Sequence, residues 1–363
     1  MEEKKKIAIL TGGGDAPGLN AVIRAIVKTS ESRHDLEVYG FLEGFYGLVT
    51  NRYVKLNRAS VSGILHRGGT ILGASNRDDP FRFPLKEGGK TVYHDLSDEA
   101  VENLRVLGID VLVVIGGDGS MNIANGFEKK GFKVIGVPKT IDNDLMATER
   151  TFGFDTAVAT ATDALDKLHT TAESHHRVMI LEVMGRYAGW IALFSGVAGG
   201  ADVILIPEIP FDLSKVAAKI EERREVGKRF STIVVAEGAH EREGEMVVAK
   251  RIEESTDPIR LGGIGQIVAD KLADDLQLET RVIVLGHLQR GGSPVPTDRI
   301  LSTRFGVKAA ELAAKGPYGH MVALKGDKIV SVPIVESIKD LKRIESDGEL
   351  VNMAKAVGVS FGD

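Results

Sequence analysis

The chain has 363 residues, 43% hydrophobic and 27% charged, a balance that excludes a wholly disordered polypeptide and leaves room for about two domains. Its net charge of −5 argues against nucleic acid or an anionic membrane as a partner, so any phosphate ester has to be met by cations gathered locally. Cysteine is absent, which removes disulfides, thiol catalysis and zinc–thiolate sites, and no run of about 18 apolar residues offers a membrane span.

The charged start, Met1 to Lys6, leads into the apolar run Ile7–Leu10, too short for a signal peptide, and a cytosolic protein is expected. The run ends on Gly12-Gly13-Gly14-Asp15, and Asn20–Lys28 then has helical spacing. Val111–Ile115 leads to Gly116-Gly117-Asp118-Gly119-Ser120, Val134–Val137 to Pro138-Lys139-Thr140, and Val178–Val183 to Met184-Gly185-Arg186. Val203–Ile206, Ile233–Val235 and Val282–Leu285 end on Pro207, Glu237 and Gly286, with helical spacing in Ala157–His169, Leu213–Val226 and Ile264–Asp275. Short apolar runs without alternation predict parallel strands buried on both faces. The expected fold is α/β: two doubly wound lobes with largely parallel sheets and ligands at the carboxyl ends of the strands. No linker rich in Pro, Gly or Ser separates the lobes, so the chain should cross more than once. The expected lobes are 1–150 with about 290–338, and 151–289 with about 339–363.

Four groups of residues carry chemistry. Thr11–Asn20 reads as strand, glycine loop and helix, a phosphate cradle of backbone N–H groups at a helix N-terminus, or else a tight turn with no ligand. In Gly116–Ser120 the glycines let a polyphosphate approach the backbone, and Asp118 is placed to hold magnesium; a helix cap is the competing reading. In Pro138–Asp144, an extended backbone puts Thr140, Asp142 and Asp144 on one side. Two carboxylates so close need a cation or a proton between them: magnesium fits Asp144, leaving Asp142 to accept a hydroxyl proton, and an Asx-turn is the alternative. The fourth group is cationic: Arg177, Arg186, Arg281, His287 and Arg290, forked donors suited to a sugar-phosphate dianion, with Glu237 available to sugar hydroxyls.

In this order, TGGGDAPGLNAVIR, RGGTILGASNR, VVIGGDGS, PKTIDND, the MGR of EVMGRYAGW, and VLGHLQRGGSPVPTDR resemble the phosphofructokinase family across nearly the whole chain. The resemblance implies transfer of a phosphoryl group to the 1-hydroxyl of fructose 6-phosphate, with Mg2+ and an ATP or pyrophosphate donor. It implies donor contacts from Gly14, Arg77, Asp78, Gly117, Asp118, Gly119 and Ser120, with Asp118 on the metal and Asp142 as proton acceptor. Arg77, in a segment one residue longer than in the short bacterial ATP enzymes, would neutralise charge as the bond breaks. Thr140, Ile141, Asp144, Met184, Gly185, Arg186, Glu237, Arg281, His287, Leu288, Gln289 and Arg290 would surround the sugar phosphate and the transferring group. Arg177 would reach the sugar phosphate of a neighbouring subunit, implying a homo-oligomer, a dimer or tetramer. Two positions bear on the donor. Gly119 resembles ATP users, because a carboxylate there crowds and repels a nucleotide's α-phosphate. Lys139 occurs in pyrophosphate users and in one group of ATP users, where it can stabilise the moving phosphoryl group. The pair fits the mixed-substrate group, and ATP is the expected donor.

Overall fold

The structure, a computed structural model, describes residues 4–251 and 259–363. Its strands are β1 Lys6–Thr11, β2 Glu37–Phe41, β3 Tyr53–Leu56, β4 Phe83–Glu87, β5 Lys90–His94, β6 Ile109–Gly116, β7 Val134–Pro138, β8 Val178–Val183, β9 Val203–Leu205, β10 Ser231–Ala236, β11 Val248–Arg251, β12 Ile259–Leu261, β13 Thr280–Val284, β14 His320–Lys325 and β15 Lys328–Pro333. Two sheets organise the chain. The larger has the order β15-β14-β7-β6-β1-β2-β3, parallel from β14 to β2 and antiparallel at both outer pairs; the smaller, β13-β8-β10-β9, is parallel throughout.

The helices are α1 Leu19–Thr29, α2 Phe45–Val49, α3 Ser97–Val106, α4 Asp118–Lys129, α5 Phe154–His175, α6 Trp190–Ala198, α7 Leu213–Glu225, α8 Ile264–Leu276, α9 Pro296–Lys315, α10 Ile334–Ser337 and α11 Glu349–Ala356. Strand alternation distributes the core to both faces of each sheet. Ile7 and Ile9 of β1 pack with α1 and α9, whereas Ala8 and Leu10 pack with α3 and α4. In the smaller sheet Val178 and Ile180 face α7 and α8, while Leu181 and Val183 face α5, α6 and α11. Each strand is therefore apolar on both sides, which is why these runs lacked a period of two. The crossing of α1 and α9 depends on Gly306: a Cβ there would stand 2.7 Å from the carbonyl oxygen of Val22.

The chain passes between the sheets at the start of α5, before α9, and again after α10. Asp298 of α9 is buried at one crossing and accepts from the N–H groups of Gly153 (2.9 Å) and Thr156 (2.8 Å), so its carboxylate satisfies the first turn of α5. Most expected elements occur within a few residues of the sequence reading. The helix expected over Ala157–His169 runs over Phe154–His175, because its last turns are mostly exposed and carry no apolar period. The polar hairpin β4–β5 and the antiparallel edge β14–β15 were not anticipated, although Met321, Val322 and Ala323 of β14 are buried. Among the described residues no helix is long and apolar enough to cross a membrane.

Candidate active site at the facing strand ends

Three loops follow neighbouring strands of the larger sheet. After β1, Gly12 N–H donates to the Ile115 carbonyl (2.9 Å) and Gly13 N–H to the Ser75 carbonyl (3.0 Å), which fastens the glycine loop to β6 and to the segment carrying Arg77 and Asp78. After β6, Gly117 caps α4 with no side-chain partner for the first-turn N–H groups, so Gly117, Asp118, Gly119 and Ser120 stand where the positive end of a helix emerges. A Cβ on Gly119 would meet nothing within 4 Å, so the space beside it is open. Asp78 is tied to the Ser75 hydroxyl, and Arg77 is exposed beside it.

After β7 comes the densest group of charges. Lys139 is 3% exposed and donates through Nζ to the Gly14 carbonyl, bridging two of the loops. Burial, with Arg290 nearby, pulls its ammonium down to about 8 even though Asp15, Asp142 and Asp118 act in the other direction. The Thr140 hydroxyl accepts from the N–H of Asp142 (3.0 Å), fixing the turn. Asp142 Oδ1 and Asp144 Oδ1 are both buried without a hydrogen-bond partner. Burial pushes Asp142 above the usual carboxylate range, with Arg290, Arg186 and Lys139 opposing and Asp118 reinforcing the shift. Asp144 is pushed up to about 7 by burial, then by Asp142 and Asp118. Asp118, Asp142 and Asp144 therefore share one electrostatic neighbourhood.

The smaller sheet supplies the opposite wall. Gly185 follows β8 at φ 136°, in the left-handed region, and a Cβ there would lie 2.8 Å from the Ala188 carbonyl oxygen. That tight turn swings Arg186 toward Asp142 and Glu237, both of which feel its charge. Glu237, after β10, is pushed up to about 7 by burial and by Asp142. After β13, Gly286–Arg290 forms a 3-10 turn that lays Arg290 over the glycine loop, with Nη1 donating to the Asp15 carbonyl (3.2 Å).

Several expected residues stand elsewhere. Arg177 precedes β8 and Arg281 lies at the start of β13, in register with Met179, so both occupy the amino ends of their strands. The six residues of β8, at about 3.3 Å each, put roughly 20 Å between that edge and Arg186. Both guanidinium groups are held there by Glu279, Arg177 at 2.8 Å. Arg281 therefore stands apart from this chain's own cluster. Three further residues of the expected segments turn their side chains as follows. The Ile141 side chain is buried in the core under α5. Leu288 is 68% exposed, and Gln289 is buried with its amide spent on the Met184 N–H (3.4 Å) and the Gly286 carbonyl (3.2 Å), which makes it a brace between two loops.

One residue was missed although the sequence marked it. Glu182 is the lone charge in the apolar run of β8; it is 2% exposed and accepts from the N–H groups of Gly263 (3.0 Å) and Gly265 (2.8 Å), anchoring α8.

Glycine loops and helix N-termini on one wall, buried carboxylates between, and forked cations on the other define a phosphoryl-transfer enzyme of the doubly wound α/β class. The Phosphofructokinase family profile matches residues 6–313, and the chain belongs to that family. It is 58% identical over 369 residues to a protein of Clostridium perfringens named ATP-dependent 6-phosphofructokinase 2, covering 100% of both chains. Among solved structures, phosphofructokinase from Saccharomyces cerevisiae superposes with a TM-score of 0.79 at 32% identity, over 93% of this chain but 45% of the yeast chain. A pyrophosphate-dependent phosphofructokinase from Nitrosospira multiformis gives a TM-score of 0.80 at 22% identity over 95% of this chain and 88% of its own, a likeness of fold alone.

Proposed function

We propose that this chain is an ATP-dependent 6-phosphofructokinase that transfers the γ-phosphoryl group of ATP to the 1-hydroxyl of fructose 6-phosphate, giving fructose 1,6-bisphosphate, ADP and a proton. The observation that carries the reading is the buried, unpartnered Oδ1 of Asp142, set among Arg186, Arg290 and Lys139. A carboxylate oxygen without a partner, on a group that burial raises above the usual carboxylate range, is suited to take the hydroxyl proton as the oxygen attacks phosphorus.

The donor lobe, 1–150 with about 290–338, offers Gly14, Arg77, Asp78 and Gly117 to Ser120 to the nucleotide; the acceptor lobe, 151–289 with about 339–363, offers Met184, Gly185, Arg186 and Glu237 to the sugar. Arg290 and His287 take the 6-phosphate, joined by Arg177 and Arg281 of a second subunit in a homo-oligomer; within one chain the latter two stand at the far edge of the sheet, paired through Glu279. Lys139 and Arg77 stabilise charge on the moving phosphoryl group. The orphaned oxygens of Asp142 and Asp144 and the nearby Asp118 fit a hard cation. Asp118 and Asp144 are the residues to hold magnesium, which when bound neutralises the donor's phosphates. The reading includes a cytosolic location.

ATP is favoured over pyrophosphate by the open space at Gly119 and by the names of the relatives. Initial rates with each donor, on one preparation with Mg2+ and fructose 6-phosphate, test this. The expected result is a higher kcat/KM for ATP; a higher value for pyrophosphate reverses the choice of donor.

A further inference from the structure

The short segment Leu341–Ile344 lies behind both walls of the site, between α10 and α11. Its Lys342 has no counterpart among the motifs, and it falls beyond the stretch that the family profile matches. Lys342 is half-buried, and its ammonium forms no ion pair among the described residues. Its three hydrogens meet three oxygens: Asn143 Oδ1 (3.1 Å), the Thr148 carbonyl (3.1 Å) and the Glu149 carbonyl (3.0 Å). The backbone N–H of Lys342 donates to the Asp144 carbonyl (2.7 Å), and Leu341 bridges to Leu145.

All four bonds end on the loop that carries Asp142 and Asp144. That loop needs holding, because Asn143 between the two aspartates sits at φ 52° and Ala147 at φ 61°, left-handed conformations that are strained for non-glycine residues. Asn143 is 3% exposed, and its Oδ1 also accepts from Thr151 N–H (3.0 Å), so Lys342 and the far end of the loop grip one oxygen together.

The other side of the segment grips the opposite wall. The Lys342 carbonyl accepts from Trp190 Nε1 (2.8 Å), and the ammonium stands 5.5 Å from the centre of that indole ring. Two residues on, Ile344 N–H donates to Glu208 Oε1 (3.0 Å), the carboxylate that also accepts from Gly189 N–H (3.0 Å). Gly189 and Trp190 close the turn begun by Gly185 and Arg186.

We infer that Leu341–Ile344 is a strap across the back of the site, and that Lys342 is its positioning residue, holding the Asp142–Asp144 loop in register with the Arg186 loop. Lys342 touches neither substrate; it acts through the carboxylates it places. The catalytic consequence rests on the function proposed above, whereas the restraint on the loop does not.

The test is Lys342→Met, which keeps the length and removes the charge and donors. Lys339→Met is the control: it removes the same charge from an exposed residue paired with Glu336 at 2.7 Å. Misplacing a reacting group by about 1 Å costs on the order of 100-fold, so Lys342→Met is expected to lower kcat by roughly that factor. The KM values for ATP and fructose 6-phosphate are expected to stay within about 3-fold, because binding groups outside the loop are intact. Amide hydrogen exchange is expected to quicken over 140–148 and nowhere else, with Lys339→Met unchanged in every respect. A folded Lys342→Met with kcat within about 3-fold of the parent, or faster exchange spread over the whole chain, overturns the inference. If Lys342→Met does not fold, Trp190→Phe decides, since it removes the indole N–H to the strap, together with part of the ring beside Lys342, and leaves the Asp142–Asp144 loop itself unaltered. A several-fold fall in kcat at constant KM supports the strap and an unchanged kcat sinks it. Local loosening of 140–148 in a parent protein without kinase activity keeps the strap and refutes the proposed function.

Discussion

Two clusters of charge, one at the amino ends of β8 and β13 in the smaller sheet and one where the carboxyl ends of strands from both sheets meet, are built on opposite principles. At the amino edge of the smaller sheet, Arg177 and Arg281 share Glu279 in an exposed triad, and the hydrogen bond from Arg177 holds the Glu279 carboxyl below its usual range. Every charge there has a partner and water. At the carboxyl edge, Asp118, Asp142, Asp144, Glu237 and Lys139 are crowded together, two carboxylate oxygens have no partner, and burial drives Asp142, Asp144, Glu237 and Lys139 toward their neutral forms. The first cluster is at rest without a ligand. The second is under electrostatic tension until cations and phosphates arrive, which is the mark of a preorganised site.

The contrast is broken most severely at Asp142. Asp142→Asn keeps the shape and removes the base, so kcat is expected to fall by about 10²–10⁴-fold with little change in either KM. Steady-state rates check this, and near-normal turnover removes Asp142 from its role. Arg177→Ala acts on the other cluster. Losing a charge-assisted contact of about 1.5–3 kcal/mol is expected to raise KM for fructose 6-phosphate by roughly 10- to 100-fold. The Tm should barely move, because the exposed pair adds little to stability. A KM unchanged in the oligomer would detach this edge from substrate binding.

The smallest effect is on the stability of the ligand-free protein. Asp144 and Glu237, at about 7, hold protons in the fold that the unfolded chain releases near pH 4, so stability falls as pH rises from about 4 to 7. Lys139 and Lys342, at about 8, behave in the reverse sense: between about 8 and 10.5 the unfolded chain keeps protons the fold has lost, and stability rises with pH. These four groups place a minimum in Tm between pH 7 and 8 in the absence of Mg2+ and nucleotide. Asp144→Asn is expected to raise the ligand-free Tm at pH 8 by ~1–3 °C while lowering activity. Scanning calorimetry across pH 5 to 10 reads both, and an unchanged or lower Tm in the variant contradicts the crowding of charge described here.

Much was legible without coordinates. Glycines after apolar runs marked the loops after β1, β6 and β7, because only a strand end with no side chain lets a phosphate reach the backbone. The spacing of Asp142 and Asp144 showed that they belonged together. The burial of the Gln289 and Ile141 side chains was not legible, since a residue inside a functional segment gives no sign of which way its side chain turns. Glu182 was overlooked although a lone carboxylate in a buried strand always needs donors. Lys342 carried no signal at all: it lies about 200 residues from the loop it holds, and its partners are mostly backbone carbonyls, which no sequence pattern encodes.

By itself the sequence determined the α/β class, the parallel strands and the identity of the reacting groups, because these follow from local periodicity and from which side chains can bind phosphate, metal or a proton. Only the tertiary structure decided which of those groups meet. Folding two sheets edge to edge sets Arg186 and Arg290 against Asp142, sends Arg177 and Arg281 to the far edge, and draws a distant lysine behind the aspartate loop. Such pairings depend on distances across the fold, which are fixed by packing and not by order along the chain.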